Sequence, residues 1–124
     1  MPYMSKHNLE SRIQEVLESI ALIQEWSKGM TTLHDFMVSP HRVMAFNACV
    51  MRLQVIGEHV GKLMKESSNI LEEYPAIPWK AIYDMRNIIS HEYASIDEDI
   101  VVSVIEDELP KLKETLEEML SKRR

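Results

Sequence analysis

Arg86, Asn87, His91 and Tyr93 are four polar groups of different chemistry set into one stretch, Arg86-Asn-Ile-Ile-Ser-His91-Glu-Tyr93, that is otherwise largely apolar. Arginine is a permanently charged planar donor suited to phosphate oxygens. Histidine, with an ordinary pKa of about 6.5, both takes and gives a proton near neutral pH. Asparagine adds an amide and tyrosine a phenol. Together they suffice for metal-free cleavage of RNA, in which one group deprotonates a ribose 2′-hydroxyl and a cation stabilises charge on the phosphate. On one straight helix, at about 100° per residue, Asn87 and His91 share a face, as do Arg86 and Tyr93, but Arg86 and His91 lie about 140° apart. Either the helix ends or bends near His91, or groups from two subunits meet. A plain structural role also fits these residues, with Arg86 paired to a carboxylate and His91 capping the helix or filling a core position.

Other chemistries find less material. The three glycines, at 29, 57 and 61, form neither a phosphate loop nor GxGxxG. Three residues before His34, His41, His59 and His91 stand Thr31, Val38, Ile56 and Ile88, so the Glu-x-x-His pair of di-iron bundles is absent. Glu58 and His59 are adjacent, and a regular helix does not aim both at one metal. Cys49 has no neighbouring pattern that marks a nucleophile and reads as a small buried hydrophobe. The expectation is a site with no metal and no cofactor.

The elements that must position the candidate site are helical. Leu9, Ile13, Val16, Ile20 and Ile23 form one stripe, and Gly29 predicts its stop. Residues 31–37 predict a short helix or turn, and Pro40 a fresh start. From 40 to 66, Val43, Phe46, Val50, Leu53, Gly57, Val60 and Met64 make one stripe, and Met44, Ala48, Met51 and Val55 a second beside it. The second stripe serves either the monomer core or a partner subunit. Gly57 and Gly61, four apart, open a smooth patch for a close helix crossing. Pro78 suits the first turn of the next helix, Trp79 to Tyr93. Ser95-Ile-Asp-Glu98 reads as a capping box opening a last helix with Ile100, Val104, Ile105, Leu109, Leu112, Leu116 and Leu120 on its apolar face. Pro110 predicts a kink in it. The expected fold is all-α: an antiparallel four-helix bundle with an additional short helix, in a single domain over 1–124.

With 124 residues, 45% apolar and 27% charged, the chain has room for one modest core and an ordinary globular surface. One cysteine excludes an intrachain disulfide. Met1-Pro-Tyr-Met-Ser-Lys-His lacks the apolar core of a signal peptide, and no apolar run approaches membrane-spanning length, so the expected compartment is the cytoplasm, without a membrane. The net charge of −6 is unevenly spread: three Lys/Arg against five Asp/Glu in 1–39, six of each in 40–93, five against nine in 94–124. The centre is neutral, which leaves room for a locally positive site but not for a broad basic DNA-binding face.

Arg86-x4-His91-x-Tyr93 resembles the R-x4-H-x-Y signature of HepT toxins, within the HEPN superfamily. Leu53-Gln-Val-Ile-Gly-Glu58 resembles that family's LQxIGE helix, Pro78-Trp79 with Met85-Arg-Asn87 its PW…MRN segment, and Leu109-Pro-Lys-Leu112 the end of its last helix. His59 departs from the pattern, standing where a small residue such as alanine is expected. The resemblance implies an HEPN-like bundle and a homodimer with the two signatures facing each other. It implies a metal-independent endoribonuclease with Arg86 and His91 catalytic and Asn87 supporting. It also implies the toxin role in a type VII toxin–antitoxin system. The neighbouring antitoxin would be an MntA-like minimal nucleotidyltransferase that transfers AMP to Tyr93. Two other classes remain open from the residues alone: a catalytically silent helical module that binds nucleotide or a nucleotidyltransferase partner, and a structural adaptor in which Arg86, Asn87 and His91 are exchangeable.

Overall fold

The computed structural model describes residues 4–123, with side chains from Leu9 onward; Met1–His7, in which no leader was expected, falls mostly outside the description. Helix α1 runs Met4–Trp26 and buries Ile13, Val16, Ile20 and Ile23. It stops where the sequence predicts, because Gly29 takes φ 81°, a left-handed conformation that costs glycine nothing. The short helix α2, Leu33–Met37, is held by a capping box: Thr32 Oγ1 accepts from Asp35 N at 3.2 Å, and Asp35 accepts from Thr32 N at 3.1 Å. Thr31 N also donates to this carboxylate, at 2.9 Å, and with Thr32 N it holds the Asp35 carboxyl below its ordinary pKa. Phe36 of α2 meets Phe46 edge-on, with ring centroids 5.3 Å apart.

Ser39 caps helix α3, Pro40–Glu66, with Pro40 in its first turn. Arg12 bonds Glu66, Arg52 reaches Ser19 and the Cys49 thiol points at the Ile23 carbonyl, so α1 and α3 run antiparallel. A one-turn helix α4, Ser68–Leu71, leads into a loop anchored by the Trp79 indole, which donates to the Tyr74 carbonyl at 3.1 Å. Helix α5, Trp79–Glu92, follows, with Pro78 as its N-cap rather than in its first turn. Tyr93–Ser95 form a 3-10 turn.

The last segment departs from expectation twice. Ser95 does not cap: it belongs to the 3-10 turn, and Asp97 caps α6, Glu98–Ser103, by accepting from the backbone N–H groups of Asp99 and Ile100. Nor does Pro110 simply kink the helix. A π-helical turn, Val104–Glu108, separates α6 from α7, Leu109–Lys122, and the Leu109 N–H reaches back five residues to the Val104 carbonyl. Proline lacks an N–H and its ring crowds the carbonyl four residues earlier; the wider turn just upstream makes room for it. In α6 Val101 and Val102 are buried while Ile100 faces outward.

The result is the expected all-α bundle of α1, α3, α5 and the α6–α7 segment, with α2 as the extra short helix and α4 unanticipated. One apolar cluster runs from Leu9 to Leu120. Helix α3 lies centrally, packed along both α1 and α5, whereas α5 and the α6–α7 segment touch only sparingly. Among the described residues no helix is long and apolar enough to cross a membrane.

Candidate active site

Helix α5 is pressed onto α3 at the two glycines. A Cβ on Gly57 would overlap the Cβ of Arg86 and stand 3.2 Å from the Ile82 carbonyl oxygen; one on Gly61 would stand 2.5 Å from the Tyr83 ring. The smooth patch anticipated at these positions is therefore the α3–α5 crossing, and it sets where Arg86 lies. Three polar pairs run along the same seam. Arg86 Nε lies 3.8 Å from Glu58, Gln54 donates to Ser90 Oγ at 2.9 Å, and the Tyr93 hydroxyl donates to Asn47 Oδ1. Numbers fall on α3 as they rise on α5, which makes the pair antiparallel.

Within the signature, Arg86 also donates to Asn87 Oδ1 at 3.0 Å, so the amide and the guanidinium act together. Both partners of the Arg86–Glu58 pair are partly exposed, and such a pair contributes on the order of 1 kcal/mol or less, so a phosphate can displace Glu58. His91 is exposed in the last turn of α5, and its ring makes no hydrogen bond or ion pair with the described residues. The core-histidine alternative is thereby excluded. The helix stays regular through His91 and breaks at Glu92, whose φ −136° and ψ 35° are non-helical. The break comes too late to swing His91 toward Arg86: Arg86 looks along α3 and His91 looks out.

Tyr93 is half-exposed. Its hydroxyl sits at Asn47, eleven residues along α3 from Glu58, which is about 16 Å of helix rise. Arg86 and Tyr93 therefore share the α3-facing side, but a group placed on the phenol of one chain does not lie over that chain's own Arg86, as their common stripe had suggested. Tyr93 and Asn47 instead line a polar cavity of about 270 Å³ together with Phe46 and Glu98.

The second stripe of α3 borders this site. Met44 and Met51 are 61% and 58% exposed, with Ala48 half-buried between them and Val55 half-buried beyond, so the stripe is not part of the monomer core. Cys49 is fully buried, and burial raises its thiol to about 11, as befits an inert core residue. His59 packs toward α1; burial, then Arg12, holds its pKa below the ordinary value against the opposing pull of Glu15 and Glu58, and its Nδ1 is buried with no partner. Among the described residues no three His, Cys, Asp or Glu side chains gather as metal ligands.

The family described as HepT-like ribonucleases matches residues 16–119. The chain belongs to the HepT-like ribonuclease family. Over 104 residues it is 35% identical to a Methanocaldococcus jannaschii protein named as a gamma-glutamylcyclotransferase and candidate RNase; the match covers 84% of this chain but 44% of that longer protein. A protein of Caldanaerobacter subterraneus subsp. tengcongensis named as a candidate RNase is 33% identical over 110 residues, covering 89% of this chain and 92% of its own. One from Thermococcus cleftensis named as a candidate HepT ribonuclease is 23% identical over 114 residues, 92% and 97% of the two chains. No solved structure matches.

Of the residues singled out in this HepT-like chain, the structure joins Arg86 to Asn87, sends His91 to solvent and ties Tyr93 to α3. Sequence reasoning did not pick out Glu58, Gln54 and Asn47 as the α3 partners. Their spacings of four and seven place them on one face of α3, a signal masked by the methionines interleaved on the same face.

Proposed function

We propose that this chain is the RNA-cleaving toxin of a toxin–antitoxin pair, that it acts as a homodimer without metal, and that a nucleotidyltransferase antitoxin silences it by adding AMP to Tyr93. Family membership supports the ribonuclease. The observation that carries the rest is the Arg86–Asn87 pair at the α3–α5 seam and the exposed His91 in the last turn of α5, beside an α3 face whose two methionines are left uncovered. Arg86 and His91 diverge within one chain. A second copy seated on Met44 and Met51 brings another set of the same groups alongside, so each site draws on both copies.

In the proposed reaction His91 takes the 2′-hydroxyl proton. The 2′-oxygen attacks the adjacent phosphorus, the bond to the 5′-oxygen breaks, and that oxygen leaves with a proton drawn from water, giving a 2′,3′-cyclic phosphate, while protonated His91 returns its proton to solvent. Arg86, steadied by Asn87, carries the charge on the non-bridging oxygens. Control runs through the half-exposed phenol. Tyr93 oxygen attacks the α-phosphorus of ATP in the partner enzyme, pyrophosphate leaves, the phenolic proton passes to a base of that enzyme, and the nucleotide then fills the cavity beside Asn47 and the approach to the site.

The test is cleavage of labelled RNA by purified protein. Arg86→Ala and His91→Ala should each lower the rate by ~10²–10⁴ with unchanged melting, and EDTA should have no effect. Sedimentation should show a dimer at micromolar concentration. Co-expression with the neighbouring nucleotidyltransferase should add an AMP-sized mass that Tyr93→Phe abolishes. Absence of cleavage by the wild-type chain would favour the silent module, cleavage that survives both alanine variants would reject Arg86 and His91 as the catalytic pair, and sensitivity to EDTA would reject the metal-free site.

A further inference from the structure

The sparse contact between α5 and the α6–α7 segment leaves an apolar trough in the bundle, with a cavity of about 540 Å³. Its walls include Ala81, Met85 and Ile88 from α5 and Ile100, Val104 and Leu109 from the other side; Leu53 and Ile56 of α3 form its floor. The apolar surface does not end at the mouth. Ile88 and Ile100, on opposite lips, are 50% and 55% exposed, so the trough continues onto the surface as a paired apolar rim. Pro78 to Ile89 line one side, about 16 Å of chain at helical rise. Such a patch on a small protein marks an interaction surface. It lies on the flank of α5 turned from the methionine face of α3, so the dimer proposed above does not cover it.

Charge selects the occupant. Between Arg86 and Lys111 the sequence holds no lysine or arginine and seven carboxylates, at Glu92, Asp97, Glu98, Asp99, Glu106, Asp107 and Glu108. Asp97 and Glu108 stand in the trough wall itself. The bounding cations do little to offset this: Arg86 faces Glu58 across the α3 seam, and Lys111 reaches Glu108 only at 4.0 Å. RNA is repelled by such a rim. A second copy placed here about a two-fold axis sets the same carboxylates against each other, because an isologous interface joins identical patches. A small apolar molecule would meet the walls but leave the carboxylates of the rim without a partner.

We propose that the trough between α5 and α6–α7 is a docking groove for an amphipathic helix of another protein, with an apolar stripe seated on Ile88, Ile100 and the floor and with flanking lysines or arginines facing Asp97 and Glu108. This is helix-in-groove recognition, with three turns of helix matched to the length of the trough. It stands independently of the cleavage reaction, which uses the other side of α5.

The probe is a fluorescein-labelled 18-residue helical peptide with leucine on one stripe and lysine elsewhere. It is titrated with the full-length chain and followed by anisotropy, beside the same peptide with glutamate replacing lysine. The lysine peptide should saturate and the glutamate peptide should not. Ile100→Asp should weaken the lysine peptide by about tenfold or more, the scale of losing one buried anchor. Ala81→Asp, on the opposite wall, should do the same, and serves if Ile100→Asp does not fold. Glu108→Lys should weaken it too, whereas Met51→Asp, on the other face, should not. Undiminished binding by Ile100→Asp and Ala81→Asp would overturn the proposal. So would a dimer that falls to monomer on Ile100→Asp, which would give the trough to a second copy. Loss of RNA cleavage in Arg86→Ala bears on the proposed reaction and leaves this outcome untouched.

Discussion

Gly57→Ala replaces a hydrogen with a methyl group where α3 and α5 touch. The new Cβ would overlap the Arg86 Cβ and sit 3.2 Å from a backbone oxygen of α5, neither of which can swing aside. Alanine is the better helix former by about 1 kcal/mol, and overpacking of this kind costs about 1–3 kcal/mol. On central values the variant loses about 1 kcal/mol, or about 4 °C of melting temperature for a chain of this size. The functional loss should be larger. Helix α5 must back away, and it carries Arg86, Asn87 and His91; an ångström of misplacement can cost ~10² in rate. Gly61→Ala is the internal control, since its new Cβ meets the Tyr83 ring, a side chain that can rotate away, so stability and cleavage should change little. The assay is thermal melting by circular dichroism together with initial rates on labelled RNA. A Gly57→Ala protein that melts at or above the wild-type temperature and cleaves at the wild-type rate would refute the view that the glycine contact sets the position of Arg86.

Two other residues give distinct readouts. Folding depresses the pKa of His59, mainly through burial and then through Arg12, so the unfolded chain binds the proton more readily. Stability should therefore fall as pH drops through about 6.5 and level off once pH is below the folded-state value; the melting temperature of His59→Gln should fall less between pH 7.5 and 5.5, and parallel curves would count against it. Cys49, buried and with its thiol at about 11, should be thiolate at pH 8 to only about one part in a thousand; iodoacetamide should alkylate it in denaturant and spare it in the native chain, as read by intact mass.

The long helices were legible because their apolar residues repeat at three and four over many turns: the Ile13–Ile23 stripe and the α3 stripe through Val50 and Val60 are buried as the spacing implies. The glycine pair was legible for a similar reason, since two glycines four apart on an apolar helix have few uses other than close approach. Local signals misled where two competed. Ser95 and Glu98 have the spacing of a capping box, but Asp97 lies between them with a shorter side chain already aimed at the next N–H groups, and it prevails. Ile100 read as core because it stands four residues before Val104, but it lies nine before Leu109, about 180° round a regular helix, and it is exposed. The polar partners at Asn47, Gln54 and Glu58 depend on which face of α3 meets α5, a tertiary fact that single-helix spacing does not contain. The turn of Tyr93 onto Asn47 was hidden likewise, because it follows from a backbone break at Glu92.

The π-helical turn holds a spare residue within the last quarter of the chain. A regular helix from Glu98 to Lys122 would be one rod with a proline at its middle. The wide turn at Val104–Glu108 takes up about one residue more than a regular turn, so the windings on either side keep their relative orientation. Leu112, Leu116 and Met119 hold α7 to the core, and Val101 and Val102 hold α6. Removing a single residue within Val104–Glu108 should therefore restore the regular winding and leave Val101 and Val102 buried, whereas a second removal should turn α6 by about 100° and lift them out. Chain length at this point is thus tolerant by one residue, and beyond that it changes the wall that α6 presents to the trough.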